Sequence, residues 1–234
     1  MDGPTLQKET CPMSGAIWLI MYDVAAHDEA QYLSWFHDLH IPEKLARPGY
    51  QWAAHYELVG LDGDPVTLAG APPDGSRGFS AFFGGTDTRT FLDPSPAQIK
   101  PNQPPLTREM MALRIGSASL IAAQEWRHEE SAAPDYTVLE VTICDTDGND
   151  EDYGAWCIQS RCKHLRTVPG FEVMAKLLST TTAHHHVSIA SFRELDDVAA
   201  CRRQAPADAW SERVQGYQRQ ARDPILCRRI WRAP

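Results

Sequence analysis

The sequence predicts an α+β protein in which two similar units follow one another along a single chain and close into one barrel. Three observations predict it. The stretch YLSWFHDLHIPEKLARPGY from Tyr32 lies without a gap over YGAWCIQSRCKHLRTVPGF from Tyr153, so Trp35 meets Trp156, Pro48 meets Pro169 and Gly49 meets Gly170. Internal self-similarity of that kind marks a repeated structural unit. Each copy follows an apolar, β-branched run, and each is followed by two further strand-like runs. The halves are joined by HEESAAPD, residues 128–135, a polar, proline-containing stretch of the composition expected at a domain joint.

In order, the first unit opens with a strand at Ile17–Val24, and its partner with one at Val138–Cys144. An acidic helix start follows, with Asp28 or Asn149 as the N-cap, since a short polar side chain there satisfies an orphan amide. The helix ends before Pro48 or Pro169, because the residue preceding proline avoids the helical region. Gly49 and Gly170 then turn the chain into a second strand, Tyr50–Leu58 or Phe171–Leu178. A third strand comes at Gly78–Phe83 or His185–Phe192, and an irregular helical stretch leads to a last one at Ala112–Ala122 or Ile225–Trp231. This order, βαββαβ, is the ferredoxin-like unit. Such a sheet carries helices on one face only, so two of them bury their open faces together as an intramolecular dimeric-type α+β barrel. The expected division is an extension at 1–14, a first unit at 15–127, a linker at 128–135 and a second unit at 136–234. The loop Gly60–Arg77 has no counterpart in the second half, and its length suggests a lid or a partner contact.

Composition narrows the class. The 234 residues are 43% hydrophobic and 23% charged, and no apolar run approaches the roughly 18 residues a membrane span needs. The first residues lack the basic and apolar regions of a secretory leader, so a cytoplasmic protein is expected, with no membrane partner. Six scattered cysteines without a C-x-x-C pair fit a reducing compartment and give no structural zinc site. The net charge is −9, and acidic residues interrupt the arginines near the end of the chain, so no nucleic-acid footprint is present.

Candidate chemistry concentrates in the first helix and second strand. On a wheel of about 100° per residue, Tyr32, Phe36 and Leu39 form the buried stripe, with His40 within about 60° of its centre and His37 at its edge. An inward histidine is either a core residue bonded to a carbonyl or a proton carrier lining a pocket, and His37 beside it brings a second imidazole to the same face. In the second strand His55 and Glu57 share one face. The apolar Trp52, Ala54, Tyr56 and Leu58 are expected on the helix-packed side, leaving His55 and Glu57 toward the barrel interior, where Lys176 of the second half would approach them. The second half places Ile158 and Arg161 where the first has His37 and His40, so any second copy of the site has lost its imidazoles. The run His184-His185-His186 brings at most two rings to one face of a strand and finds no third ligand by spacing, so metal is not expected there. Dinucleotide, phosphate-loop and nucleophile-elbow motifs are absent, and the expected cofactor is none: no metal, flavin or haem.

The segment WFHDLHIPEKLARPGYQWAAHYEL resembles the EthD-like proteins of the dimeric α+β barrel superfamily through Trp35, His40-Ile41-Pro42, Pro48-Gly49 and Tyr56. FLDPSPAQIKPNQPPLTREMMALRIGSASLI is similar to the end of such a unit. The resemblance spans residues 15–125, is weaker over 136–232, and departs from the family's pattern in carrying two units in tandem. It implies the barrel fold and leaves the reaction open, since the superfamily holds isomerases, cyclases, dehydratases and cofactor-free monooxygenases. The leading expectation is cofactor-independent proton transfer (isomerisation, dehydration or cyclisation) on a small apolar organic acid, lactone or aromatic. His40 would be the general acid/base, His37 or His55 a second proton carrier and Tyr22 an oxyanion donor. Trp35, Trp52, Phe82 and Tyr56 would bind the substrate. The alternatives are a cofactor-free monooxygenase and a non-catalytic small-ligand-binding protein. A fused barrel needs no partner to close, which leaves a homo-oligomer open.

Overall fold

The first strand, AIWLIMYDV, is apolar at almost every position because it is covered on both faces, as a central barrel strand must be. The computed structural model describes residues 15–68, 75–131, 135–220 and 222–232. β1 (Ala16–Val24) leads into α1 (Ala26–Trp35), a π-turn at Phe36–His40 and α2 (Ile41–Leu45). β2 (Tyr50–Leu58) and β3 (Arg77–Gly85) follow, then three short helices, α3 (Arg89–Leu92), α4 (Pro96–Ile99) and α5 (Pro105–Ala112), and a long β4 (Arg114–Glu129). The second half repeats the order with β5 (Val138–Asp145), α6 (Asp150–Trp156), a π-turn at Cys157–Arg161 and α7 (Cys162–Leu165). It continues with β6 (Phe171–Ser179), β7 (His186–Phe192), α8 (Leu195–Arg203), α9 (Ala209–Tyr217), a two-residue β8 (Arg219–Gln220) and β9 (Ile225–Arg232).

Each half forms an antiparallel sheet, β4-β1-β3-β2 and β9-β5-β7-β6. The halves then bond edge to edge. β2 pairs with β9, Leu58 opposite Cys227, and β4 pairs with β6, Ala122 opposite Ser179. Eight strands thus close a barrel in which every neighbour is antiparallel, and closure removes the sheet edges. The expected two-unit α+β barrel is the fold observed. Three apolar clusters divide it: the barrel interior, filled from both halves, and one helix layer over each sheet.

Three local expectations are corrected. Ala25, not Asp28, is the N-cap of α1, and Asp28 sits in its first turn; Asn149 does hold the N-cap position of α6, but its side chain donates to the Thr146 and Asp147 carbonyls and caps no helix amide. The ungapped alignment puts Leu19 over Glu140, yet Leu19 faces the barrel interior while Glu140 faces the helices. The strands correspond with a one-residue shift, Trp18 with Glu140, and such a slip exchanges every inward side chain for an outward one. β4 runs to Glu129 and pairs there with Val173, so residues 128 and 129 of the anticipated linker are strand. The extension 1–14 lies outside the described residues, and so does part of the loop Gly60–Arg77. Its described part bridges Val59 to Pro65 and packs Leu68 against the barrel cluster.

Two glycines test this packing with opposite signs. A Cβ at Gly84 would lie 1.9 Å from the indole nitrogen of Trp52, while one at Gly154 in α6 meets nothing within 4 Å. Gly84→Ala should therefore destabilise the protein by about 1–3 kcal/mol through overpacking. Gly154→Ala should stabilise it by about 0.5–1 kcal/mol through helix propensity. Urea denaturation of the two variants checks both signs.

Candidate functional site

The π-turn decides which side chains of the first helix face inward. The amide of Ile41 donates to the carbonyl of Phe36, five residues back, so the turn holds one residue more than an α-turn. That extra residue turns Leu39 out, where it is 50% exposed, and gives its place to His40, which is 4% exposed. The wheel that placed Leu39 in the buried stripe assumed an unbroken helix. The second half carries the same turn at Cys157–Arg161, with Cys157 buried in the place of Phe36 and Arg161 in the place of His40.

Under this turn lies a chain of polar side chains. His37 Nε2 and His55 Nδ1 share a hydrogen bond of 2.8 Å, and His55 Nε2 shares one of 2.9 Å with the Tyr22 hydroxyl. His37 stacks on Trp231 of β9, with ring centroids 5.3 Å apart and planes at 10°. The guanidinium of Arg114 lies 4.1 Å from the Tyr22 ring centroid, and its Nε donates to the Tyr32 hydroxyl at 2.7 Å. Burial is the first cause of the His55 shift and holds that imidazole well below its usual pKa, with His37 and Arg114 adding to the effect. Burial also lowers His37 and raises both tyrosines, so all four are neutral at pH 7.

Beside this chain the first helix layer holds a cavity of about 860 Å³. Its floor is Trp18 and Ile20 of β1 with Ser117 and Ser119 of β4; one wall is His40 and Lys44, and the other is the α4–α5 excursion, including Lys100, Arg108 and Met111. His40 stacks against Trp35 at 4.6 Å and Phe36 at 5.5 Å. Burial, then Lys44, Arg114 and Arg47, drive its pKa down to about 2. Lys44, 4% exposed, lies 5.3 Å from the Trp18 ring centroid, and burial and the neighbouring arginines lower it to about 8. Trp18, His40 and Arg114 line this cavity, and Trp18 Nε1, His40 Nδ1 and Arg114 Nη2 are each buried without a hydrogen-bond partner among the described residues. Buried polar groups are nearly always bonded, so three orphans on one cavity mark it for a polar ligand.

The structure brings together only part of the anticipated set. His40 lines this cavity, while His37 borders a smaller recess on the far side of the helix with Glu29, Glu57 and Arg77. His55 and Tyr22 join His37 but line neither. The strand faces are the reverse of those expected: Trp52, Ala54, Tyr56 and Leu58 point into the barrel, and His55 sits between Phe36 and Phe79 in the helix layer. The apolar set was larger inside because both halves fill that space. Phe82 joins Trp52 and Tyr56 in the interior, and Trp35 is in the helix layer, so the four expected binding aromatics do not share a pocket. Glu57 pairs with Arg228 and Arg77, and Lys176 pairs with Glu125, so the expected meeting of His55, Glu57 and Lys176 does not form. In the second half Arg161 stands at the place of His40 and is held by Glu140, which also receives Arg202. His186 bonds Asp150 at 2.9 Å, and no group of three metal-ligating side chains occurs among the described residues. Burial raises the Cys157 and Cys201 thiols to about 11 and Cys227 to about 12, as for unreactive core cysteines.

Sequence reasoning missed Lys44, Trp18 and Arg114. Lys44 follows His40 by four residues and was legible as its neighbour on the helix. Trp18 looked like any core strand residue, and Arg114 reaches the cavity from the start of β4, which no local pattern signals.

The three lowered imidazoles give a pH signature. An unfolded chain protonates them near 6.5, and the fold keeps them neutral, in the case of His40 down to about 2. The unfolded state therefore binds more protons below about 6.5, and stability must fall as the pH is lowered, by up to ~1.4 kcal/mol per pH unit for each of the buried histidines, His40 and His55, and by less for the part-exposed His37. Denaturation midpoints should drop from pH 7 to pH 5, above the carboxylate range, and His40→Gln should flatten the slope. A profile equally steep in the variant would assign the effect elsewhere.

No family model and no curated protein matches the chain. Solved structures do. A candidate monooxygenase from Lactobacillus acidophilus NCFM superposes with a TM-score of 0.59 at 11% identity, covering 94% of this chain and 96% of the other. An anthrone oxidase-like protein gives 0.57 at 15% identity over 93% and 92%. Chlorite dismutase from Candidatus Nitrospira defluvii, in complex with imidazole, gives 0.58 at 11% over 97% and 94%. No helix among the described residues is long and apolar enough to cross a membrane. At these identities the likeness is one of architecture, and it agrees with the strand order above: the chain is a dimeric α+β barrel with both halves in one polypeptide.

Proposed function

We propose that the chain is a cofactor-independent oxygenase that deprotonates an aromatic substrate in the 860 Å³ cavity and passes the electron-rich anion to dioxygen. The observation that carries this reading is the convergence of buried, unpartnered His40 Nδ1, Trp18 Nε1 and Arg114 Nη2 on one cavity beside the buried ammonium of Lys44. The names of the candidate monooxygenase and the anthrone oxidase-like neighbour support it, as does the EthD-like segment around His40-Ile41-Pro42. The reduced, buried cysteines fit a cytoplasmic setting.

The residues divide the work. Neutral His40 accepts a proton from an acidic C–H or O–H of the substrate. In the empty cavity its basicity is held down by Lys44 and Arg114. Negative charge developing on the substrate offsets those cations and raises the basicity of His40 as the proton moves, while the same cations stabilise the anion. The anion transfers one electron to dioxygen, the radical pair joins as a peroxide, and loss of water leaves a carbonyl: one CH₂ and one O₂ give one C=O and one H₂O. His37, His55 and Tyr22 act as positioning residues, because Tyr22 carries Arg114 on its ring face and His55 fixes Tyr22. Isomerisation, dehydration or cyclisation would share the first step and is the second reading, since the same cavity serves it.

Oxygen uptake with anthrone and 1-naphthol separates the two. The oxygenase reading expects one O₂ consumed per substrate by chelator-treated protein. Uptake absent, but solvent deuterium entering the substrate, would favour proton transfer alone. His40→Ala and His40→Gln should each lower turnover by about 10² to 10⁴ without loss of fold. A fully active His40→Gln would remove His40 from the mechanism.

A further inference from the structure

The cavity of the first half differs from the rest of the molecule in charge. The protein carries a net −9, yet Lys44, Lys100, Arg108 and Arg114 line the cavity and no Asp or Glu does. Its deep end is the more telling part. Lys44 is 4% exposed and makes no ion pair among the described residues; its ammonium lies over the aromatic face of Trp18. A buried ammonium without a counter-ion is costly, and such cations are ordinarily paired. The corresponding region of the second half shows the ordinary solution, where Glu140, at the place of Trp18, is bonded to Arg161 and Arg202. In the first half an indole replaces the carboxylate, and the positive charge is left facing the cavity.

We propose that the substrate enters already ionised, as an aromatic carboxylate whose carboxyl group takes the place that Glu140 holds in the second half. Lys44 and Arg114 supply the charge, and Trp18 Nε1–H and Arg114 Nη2 supply the donors that are orphaned without it, which leaves His40 free as the base. Three donors, two of them on charged groups, hold one carboxylate through charge-assisted hydrogen bonds. The ring lies along Trp18, Ile20 and Met111, and the lysine and arginine of the α4–α5 excursion draw the anion toward a cavity within an otherwise acidic surface. This assignment rests on the cavity being the substrate site proposed above, but it concerns binding and does not require the oxygen step.

The test is therefore a binding measurement without turnover. Calorimetry and thermal shift on the full chain would compare 2-naphthoate with its neutral isostere 2-naphthamide, and with inorganic phosphate. The acid should bind at least tenfold more tightly than the amide. Lys44→Met and Arg114→Gln should each lower its affinity about 10- to 100-fold, the range of a charge-assisted hydrogen bond. Lys44→Met should also raise the melting temperature of the free protein, because it removes an unpaired buried charge, which separates lost binding from lost folding. Equal binding of acid and amide, or an unchanged affinity in Lys44→Met, would overturn the proposal. Phosphate binding as tightly as the naphthoate would overturn its aromatic half. Oxygen uptake with neutral substrates and no carboxylate binding would leave the oxygenase reading standing and this one refuted.

Discussion

Closure of the barrel is the constraint on which everything else depends. Because β2 bonds β9 and β4 bonds β6, the two sheets share one interior, and both halves fill it with apolar side chains. An apolar interior of that kind has no tolerance for an unpaired charge. The buried charged groups of the strands therefore turn to the outer faces of the sheets, under the helices. His55, Glu57, Lys176 and Glu140 all obey this rule, each pointing outward from its strand into a helix layer.

The two helix layers answer that constraint differently. The second closes its charges internally, through Glu140 with Arg161 and Arg202, and buries its thiols in apolar contact. In the first, an indole stands where the carboxylate would be and the α4–α5 excursion borders a space with cations and a neutral imidazole. The π-turn is common to both halves, but only in the first does it bring histidines to bear. The halves also support each other across the seam: Trp231 of β9 stacks on His37, which in turn steadies His55 and Tyr22. The hydrogen-bonded chain of the first half thus depends on a strand from the second.

Much of the architecture was legible in the residues. The Tyr-x-x-Trp helix, the Pro-Gly turn and the strand that follows recur at Tyr32 and Tyr153, and they fold as matching elements because the same local preferences act twice. The strand faces were not legible. Trp52, Ala54, Tyr56 and Leu58 form an apolar row that suits either a helix layer or a barrel interior, and alternation alone says only that His55 and Glu57 lie opposite. Leu39 left the buried stripe, while His40 kept the inward place expected of it, because a wheel of fixed pitch cannot anticipate an extra residue in one turn.

The sequence by itself determined the two-unit order, the continuous strands and the concentration of imidazoles in the first half, since these follow from local pattern and residue type. Tertiary structure decided which of those residues meet. Arg114 reaches Tyr22 from another strand, Lys44 lies over Trp18 from another element, and the α4–α5 excursion walls the cavity beside them. Such contacts depend on how sheet and helices stack in space, and separation along the chain carries no record of it.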